Sequence, residues 1–169
     1  MKKSTSGFTI VELLIVIVII AILAAITVVA FNGIQGRARD TKRANDIAQI
    51  KKALLAYDAI HGGVVRPQVT GYTNPGWSGW DTSTGAQWLI FLRNNHGAMP
   101  VDPVNVNPSS GTDPHGGSDS RAYIYYCYNA GHTSGYPDTA GVILRYRKDD
   151  GTIVHTKFPV TSCLLTIPT

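Results

Sequence analysis

The sequence predicts an α+β protein: a long N-terminal helix, apolar enough in its first half to span a membrane, and an antiparallel β-sheet head packed on its second half. Three observations predict this arrangement. From Phe8 to Phe31 the only ionisable side chain is Glu12, and Leu13 to Phe31 form an apolar run of about the 20 residues a spanning helix needs. From Arg37 to His61 the pattern turns amphipathic, with Ala44, Ile47, Ile50, Leu54 and Tyr57 recurring at three- and four-residue steps. Near the C-terminus, segments rich in aromatic and β-branched residues are separated by turn signals.

The first element begins with the polar leader Met1-Lys2-Lys3-Ser4-Thr5-Ser6, which ends on Gly7 directly before the apolar block. An ordinary secretory signal has the reverse order, with its cleavage site after the hydrophobic core. Val28-Val29-Ala30 before Phe31 offers such a site, and a plain membrane anchor would need only the apolar run. Neither alternative accounts for Glu12, because a carboxylate at a membrane-helix centre costs roughly 2.5–3.5 kcal/mol on insertion scales, though less near an end.

Basic leader, Gly7, hydrophobic Phe8, Thr9, Glu12 and the apolar run together resemble the N-terminus of type IV prepilins and of the related pseudopilins of type II secretion. The resemblance covers about the first thirty residues, but it constrains composition, order and charge at once. It implies cleavage of the Gly7–Phe8 bond by a membrane-embedded prepilin peptidase and N-methylation of Phe8 by the same enzyme. It also implies an assembly role for Glu12, whose carboxylate would neutralise the Phe8 amine of a neighbouring subunit in an apolar filament core. The expected divisions are a leader at 1–7, a membrane or filament-core helix at 8–36, an amphipathic helix at 37–63, and a type IV pilin head at 64–169.

Gly33 and Gly36 weaken a helix by up to about 1 kcal/mol each relative to alanine, so a weak point is expected there. The amphipathic half ends at Gly62-Gly63, a helix-stop signal. Residues 64–84 read as a connecting loop, in which Trp77 and Trp80 would anchor to the sheet. Gly85 to Asn95 reads as a short helix capped by Ser83 or Thr84, with Trp88, Leu89, Phe91 and Leu92 on its apolar face. Residues 97–119 are again loop. Strands follow at 121–128, 142–147 and 152–158, the last two joined by the turn Lys148-Asp149-Asp150-Gly151. Residues 159–169 read as irregular.

Net charge is +4, but the excess is local. Residues 37–52 carry Arg37, Arg39, Lys42, Arg43, Lys51 and Lys52 against Asp40 and Asp46, whereas basic and acidic residues balance from residue 64 onward. The basic cluster suits either anionic lipid head groups or a solvated helix face. The balanced head argues against a nucleic-acid-binding protein, leaving DNA as a partner only at the level of a whole filament.

The two cysteines, Cys127 and Cys163, read as one disulfide in the extracytoplasmic head that the resemblance implies, with two buried thiols as the alternative. Catalysis finds little support. Gly76-Trp77-Ser78-Gly79-Trp80 fails the nucleophile-elbow pattern at its last position, and the five histidines show no metal-ligand spacing. Asp102, Asp113 and Asp119 offer oxygen ligands for calcium, although aspartate is also an ordinary turn residue.

The sequence therefore points to a non-enzymatic, cofactor-free structural subunit of a type IV pilus. It would be held in the cytoplasmic membrane with its N-terminus inside, then assembled into a homo-oligomeric extracellular filament by an assembly platform and ATPase. Adhesion, twitching motility or DNA uptake would belong to the filament. The alternative is a type II secretion pseudopilin forming a periplasmic piston.

Overall fold

The computed structural model describes residues 7–66, 80–106, 121–131 and 139–165. The chain divides into two units, Met1–Ala38 and Arg39–Thr169. One long helix and a C-terminal antiparallel sheet make up an α+β arrangement like that of the type IV pilin fold.

In the first unit, helix α1 (Ile10–His61) begins and remains helical through Gly33 and Gly36. Its apolar side chains are open: Ile10 is 82% exposed and Ile19 51%. By length and composition this stretch is apolar enough to cross a membrane. The hydroxyl of Thr27 donates to the carbonyl of Leu23 at 2.6 Å, which satisfies a polar group that lipid would leave without a partner.

In the second unit, the remainder of α1 buries one stripe: Arg43, Asp46, Ile47, Ile50, Ala53, Leu54 and Tyr57. Ala44, expected on that stripe, is exposed, whereas Arg43 of the basic cluster and Asp46, both outside the expected stripe, are buried. The reason is the helical step: 43, 47, 50, 54 and 57 follow one face, and Arg43 is neutralised there by Asp40 of α1 itself and by Asp102 and Asp149 from other segments.

The helix stops as Gly62 adopts φ 68° and its N–H closes onto Asp58 at 2.8 Å. Gly63 is required for another reason. A Cβ there would stand 2.8 Å from the Ser162 carbonyl oxygen, so only glycine lets the C-terminal segment approach this closely.

The principal sheet has the order β2-β3-β4-β5, built from Asp81–Thr82, Ile124–Tyr128, Gly141–Arg147 and Ile153–Pro159, all antiparallel. The register places Tyr125 opposite Leu144 and Leu144 opposite Thr156. Tyr123, Tyr125, Cys127, Val142, Leu144, Tyr146 and Phe158 thereby share the face packed against α1. The β4–β5 turn closes through Lys148 and Thr152, with Gly151 at φ 90°.

Three expectations need correction. The segment 64–84 contains two short strands, β1 (Val64–Val65) and β2, and the irregular C-terminus contains β6 (Cys163–Leu164). β1 and β6 pair in parallel, a pairing between distant segments that neither reveals locally. The short helix expected over 85–95 is a series of turns, a 3₁₀ turn at Ile90–Leu92 and one α-turn at Arg93–His96. Asp81 accepts a hydrogen bond from the Leu89 N–H at 2.8 Å, and Leu89 sits at φ 44°, which interrupts a regular helix. Ser83 does not cap it either; its hydroxyl donates to Asn105 at 2.7 Å and accepts from the Tyr123 N–H at 2.9 Å. The apolar grouping still holds, for Trp88, Leu89, Phe91 and Leu92 are all buried.

Cys127 of β3 and Cys163 of β6 are disulfide-bonded, with Cα atoms 5.8 Å apart. Around this bridge, Tyr125 donates to the Val65 carbonyl at 2.7 Å and Ser162 to the Gly62 carbonyl at 2.8 Å. The Thr161 N–H donates to Asp58 at 2.9 Å. The C-terminal segment is thus fixed to both the helix end and the sheet.

Candidate functional site

The N-terminal site is built on the first turn of α1. Gly7, Phe8 and Thr9 precede the helix, and Phe8 is 85% exposed. The Gly7–Phe8 peptide bond therefore lies outside the helix, in exposed chain. Leader residues 1–6 lie outside the described residues.

Thr9 and Glu12 form a reciprocal cap. The Thr9 N–H and hydroxyl donate to Glu12 Oε2 at 2.8 and 2.7 Å, and the Glu12 N–H donates to Thr9 Oγ1 at 3.3 Å. This is a capping box, in which the N3 carboxylate and the N-cap hydroxyl satisfy each other's orphan donors. The Thr-x-x-Glu spacing signals it in the sequence, and it gives Glu12 a local role that the resemblance alone does not supply. The same carboxylate sits near the positive end of the helix dipole, where an acid is stabilised. Chemically, the site presents an exposed carboxylate, held by Thr9, at the edge of an exposed apolar surface.

A second cluster lies in the head. Arg43 is fully buried and faces three carboxylates. Its Nε donates to Asp102 Oδ2 at 2.8 Å, its Nη2 to Asp102 Oδ1 at 3.2 Å, and its Nη1 to Asp40 and Asp149 at 2.7 and 2.6 Å. Arg39 pairs with Asp149, and Asp46 accepts from both Lys42 at 2.5 Å and Tyr123 at 2.7 Å. Burial works against the Arg43 charge, but the carboxylates of Asp102, Asp149 and Asp40 outweigh it and raise its pKa. The Arg39 hydrogen bond holds Asp149 below the usual carboxylate range, with Arg43 contributing and burial opposing. Burial, then the bond to Asp46, pushes the Tyr123 hydroxyl up. Within the basic cluster at 37–52, Arg39, Lys42 and Arg43 are thus paired with carboxylates of the same chain. Arg43 in step with Ile47 and Ile50 was the available sequence signal; its distant partners, Asp102 and Asp149, left none.

Asp102, the described member of the calcium alternative, is engaged by Arg43, while Asp113 and Asp119 lie outside the described residues. So do Ser78 and Trp77 of the tested elbow, and His115 and His132. Trp80 lies against Tyr126 at 4.8 Å, with the Arg145 guanidinium 4.4 Å above its ring. His61 rests on Tyr57, with ring centroids 4.2 Å apart, whereas His96 and His155 are exposed. Among the described residues, no group of three His, Cys, Asp or Glu side chains is placed to hold a metal.

The family model for the prokaryotic N-terminal methylation motif matches residues 2–28. No curated protein and no solved structure matches the chain. With Gly7, Phe8 and the Thr9–Glu12 cap all inside the matched segment, the chain carries the prepilin motif of type IV pilins and pseudopilins.

Proposed function

We propose that this chain is the structural subunit of a type IV pilus, without catalytic activity of its own. A prepilin peptidase removes residues 1–7 and methylates Phe8. The processed chain rests in the cytoplasmic membrane through residues 8–36 until an assembly platform and ATPase draw it into an extracellular filament. Residues 37–63 carry the head, 64–169. The observation that supports this reading is the prepilin motif continuing into an apolar helix with an exposed surface. Such a surface is stable only in lipid or against similar helices.

In the filament, Glu12 pairs with the methylated amine of a neighbour's Phe8. Methylation leaves that amine basic, and the apolar surroundings penalise any register that leaves either charge alone. Gly33 and Gly36 mark the stretch of α1 that loosens most readily on packing. Adhesion, motility or DNA uptake then belong to the assembled filament.

The test is the intact mass and N-terminal sequence of the native protein, from a sheared surface fraction and from membranes. A chain starting at methylated Phe8 in the sheared fraction is the expected result. Processed chain confined to membranes would instead identify a type II secretion pseudopilin. A chain starting at Met1 or near Phe31 would overturn both.

A further inference from the structure

Residues 100–106, Pro-Val-Asp-Pro-Val-Asn-Val, reverse the usual polarity of a surface loop. Asp102 is buried, whereas Val101, Val104 and Val106 are 43%, 44% and 43% exposed and Pro103 is exposed beside them. The inversion is held in place by polar contacts on the inner side. Asp102 binds Arg43 and accepts from the Val104 N–H at 2.9 Å. Asn105, at φ 46°, accepts from the Ser83 hydroxyl and donates to its carbonyl at 3.2 Å. Trp88 donates to the Pro100 carbonyl at 2.9 Å, and Val106 pairs with Arg121 as an isolated β-bridge.

We propose that this valine crest is a subunit contact, seated on the exposed apolar surface of α1 in a second copy of this chain. The inference rests on the filament reading above. The crest carries no charge of its own, because its one acid is turned inward and neutralised by Arg43, so an ionic partner finds no counter-charge on it. A second copy does offer matching chemistry, since α1 presents Leu14, Ile15, Ile19 and Leu23 at 53%, 55%, 51% and 59% exposure. Inner-side hydrogen bonds fix the loop before contact, which lowers the entropy lost on binding. Contact between two different patches is heterologous and propagates, as a helical polymer requires. Repetition along a polymer lets a small patch suffice where it would not hold a dimer.

Photo-crosslinking in the cells that make the protein tests this, with benzoylphenylalanine at position 104 or, in a separate full-length variant, at Ile19. Both positions are expected to yield a crosslink to a second copy. A crosslink from 19 but none from 104 would leave the filament reading standing and sink the crest. No crosslink to a second copy from either position would remove the filament and the crest with it. Labelling at 104 of lipid or another protein, rather than this chain, would also overturn the proposal. In parallel, Val104→Asp should lower the sheared filament yield by about tenfold or more. Val104→Thr, close in shape, should lower it less. An undiminished yield for Val104→Asp would count against the contact.

Discussion

Ile19 and Ile50 lie on the same helix in similarly shaped side chains, yet one is 51% exposed and the other fully buried. From Leu13 to Val28, α1 is apolar around its circumference and its described side chains are exposed. After residue 39, α1 is mixed in composition but buries one face beneath the sheet. The difference shows that composition does not decide burial; the presence of a complementary surface does. Under the proposed function the apolar half obtains that surface from lipid or from other chains. The mixed half obtains it from the head and can bury even an arginine, because Asp40, Asp102 and Asp149 converge on it.

The sharpest way to break the comparison is Arg43→Ala. It leaves buried carboxylates without their cation, so the head should lose about 3–5 kcal/mol, read as a fall in the thermal midpoint of the detergent-solubilised full chain. A midpoint near wild type would mean the cluster is hydrated. Ile50→Ala should cost about 2–5 kcal/mol through the cavity it leaves. The same unfolding signal, tyrosine near-ultraviolet dichroism, would report it.

A smaller effect follows from pH. The folded-state pKa of Asp149 is depressed, so its stabilisation is present above its unfolded pKa, about 3.9, and is lost as pH falls through the lower folded value. Head stability should therefore decline below about pH 4, and Asp149→Asn should flatten that decline in acid titrations. An unchanged acid limb would remove Asp149 as a contributor. The smallest effect is the counterpart of Ile50: Leu14→Ala should leave head stability within about 0.5 kcal/mol. A larger loss in the same melt would show that the apolar half supports the head after all.

Much of the design was legible from local pattern. Apolar length, the position of Glu12, the glycine pair ending α1 and the Lys148–Gly151 turn each act through neighbours in the chain, so sequence alone predicted two helix regimes and the β4–β5 hairpin. The Thr9–Glu12 cap was equally local, and its spacing was there to be read. Folding decided what depends on distant segments. Val64–Val65 becomes a strand because Cys163–Leu164 lies beside it, and Leu89 leaves the helical region where its N–H meets Asp81. Arg43 changes from a surface cation to a buried one because Asp102 and Asp149 are brought to it. Periodicity marks which side of a helix can be covered, but charge neutralisation and backbone pairing depend on what arrives there, and only the tertiary fold brings those groups together.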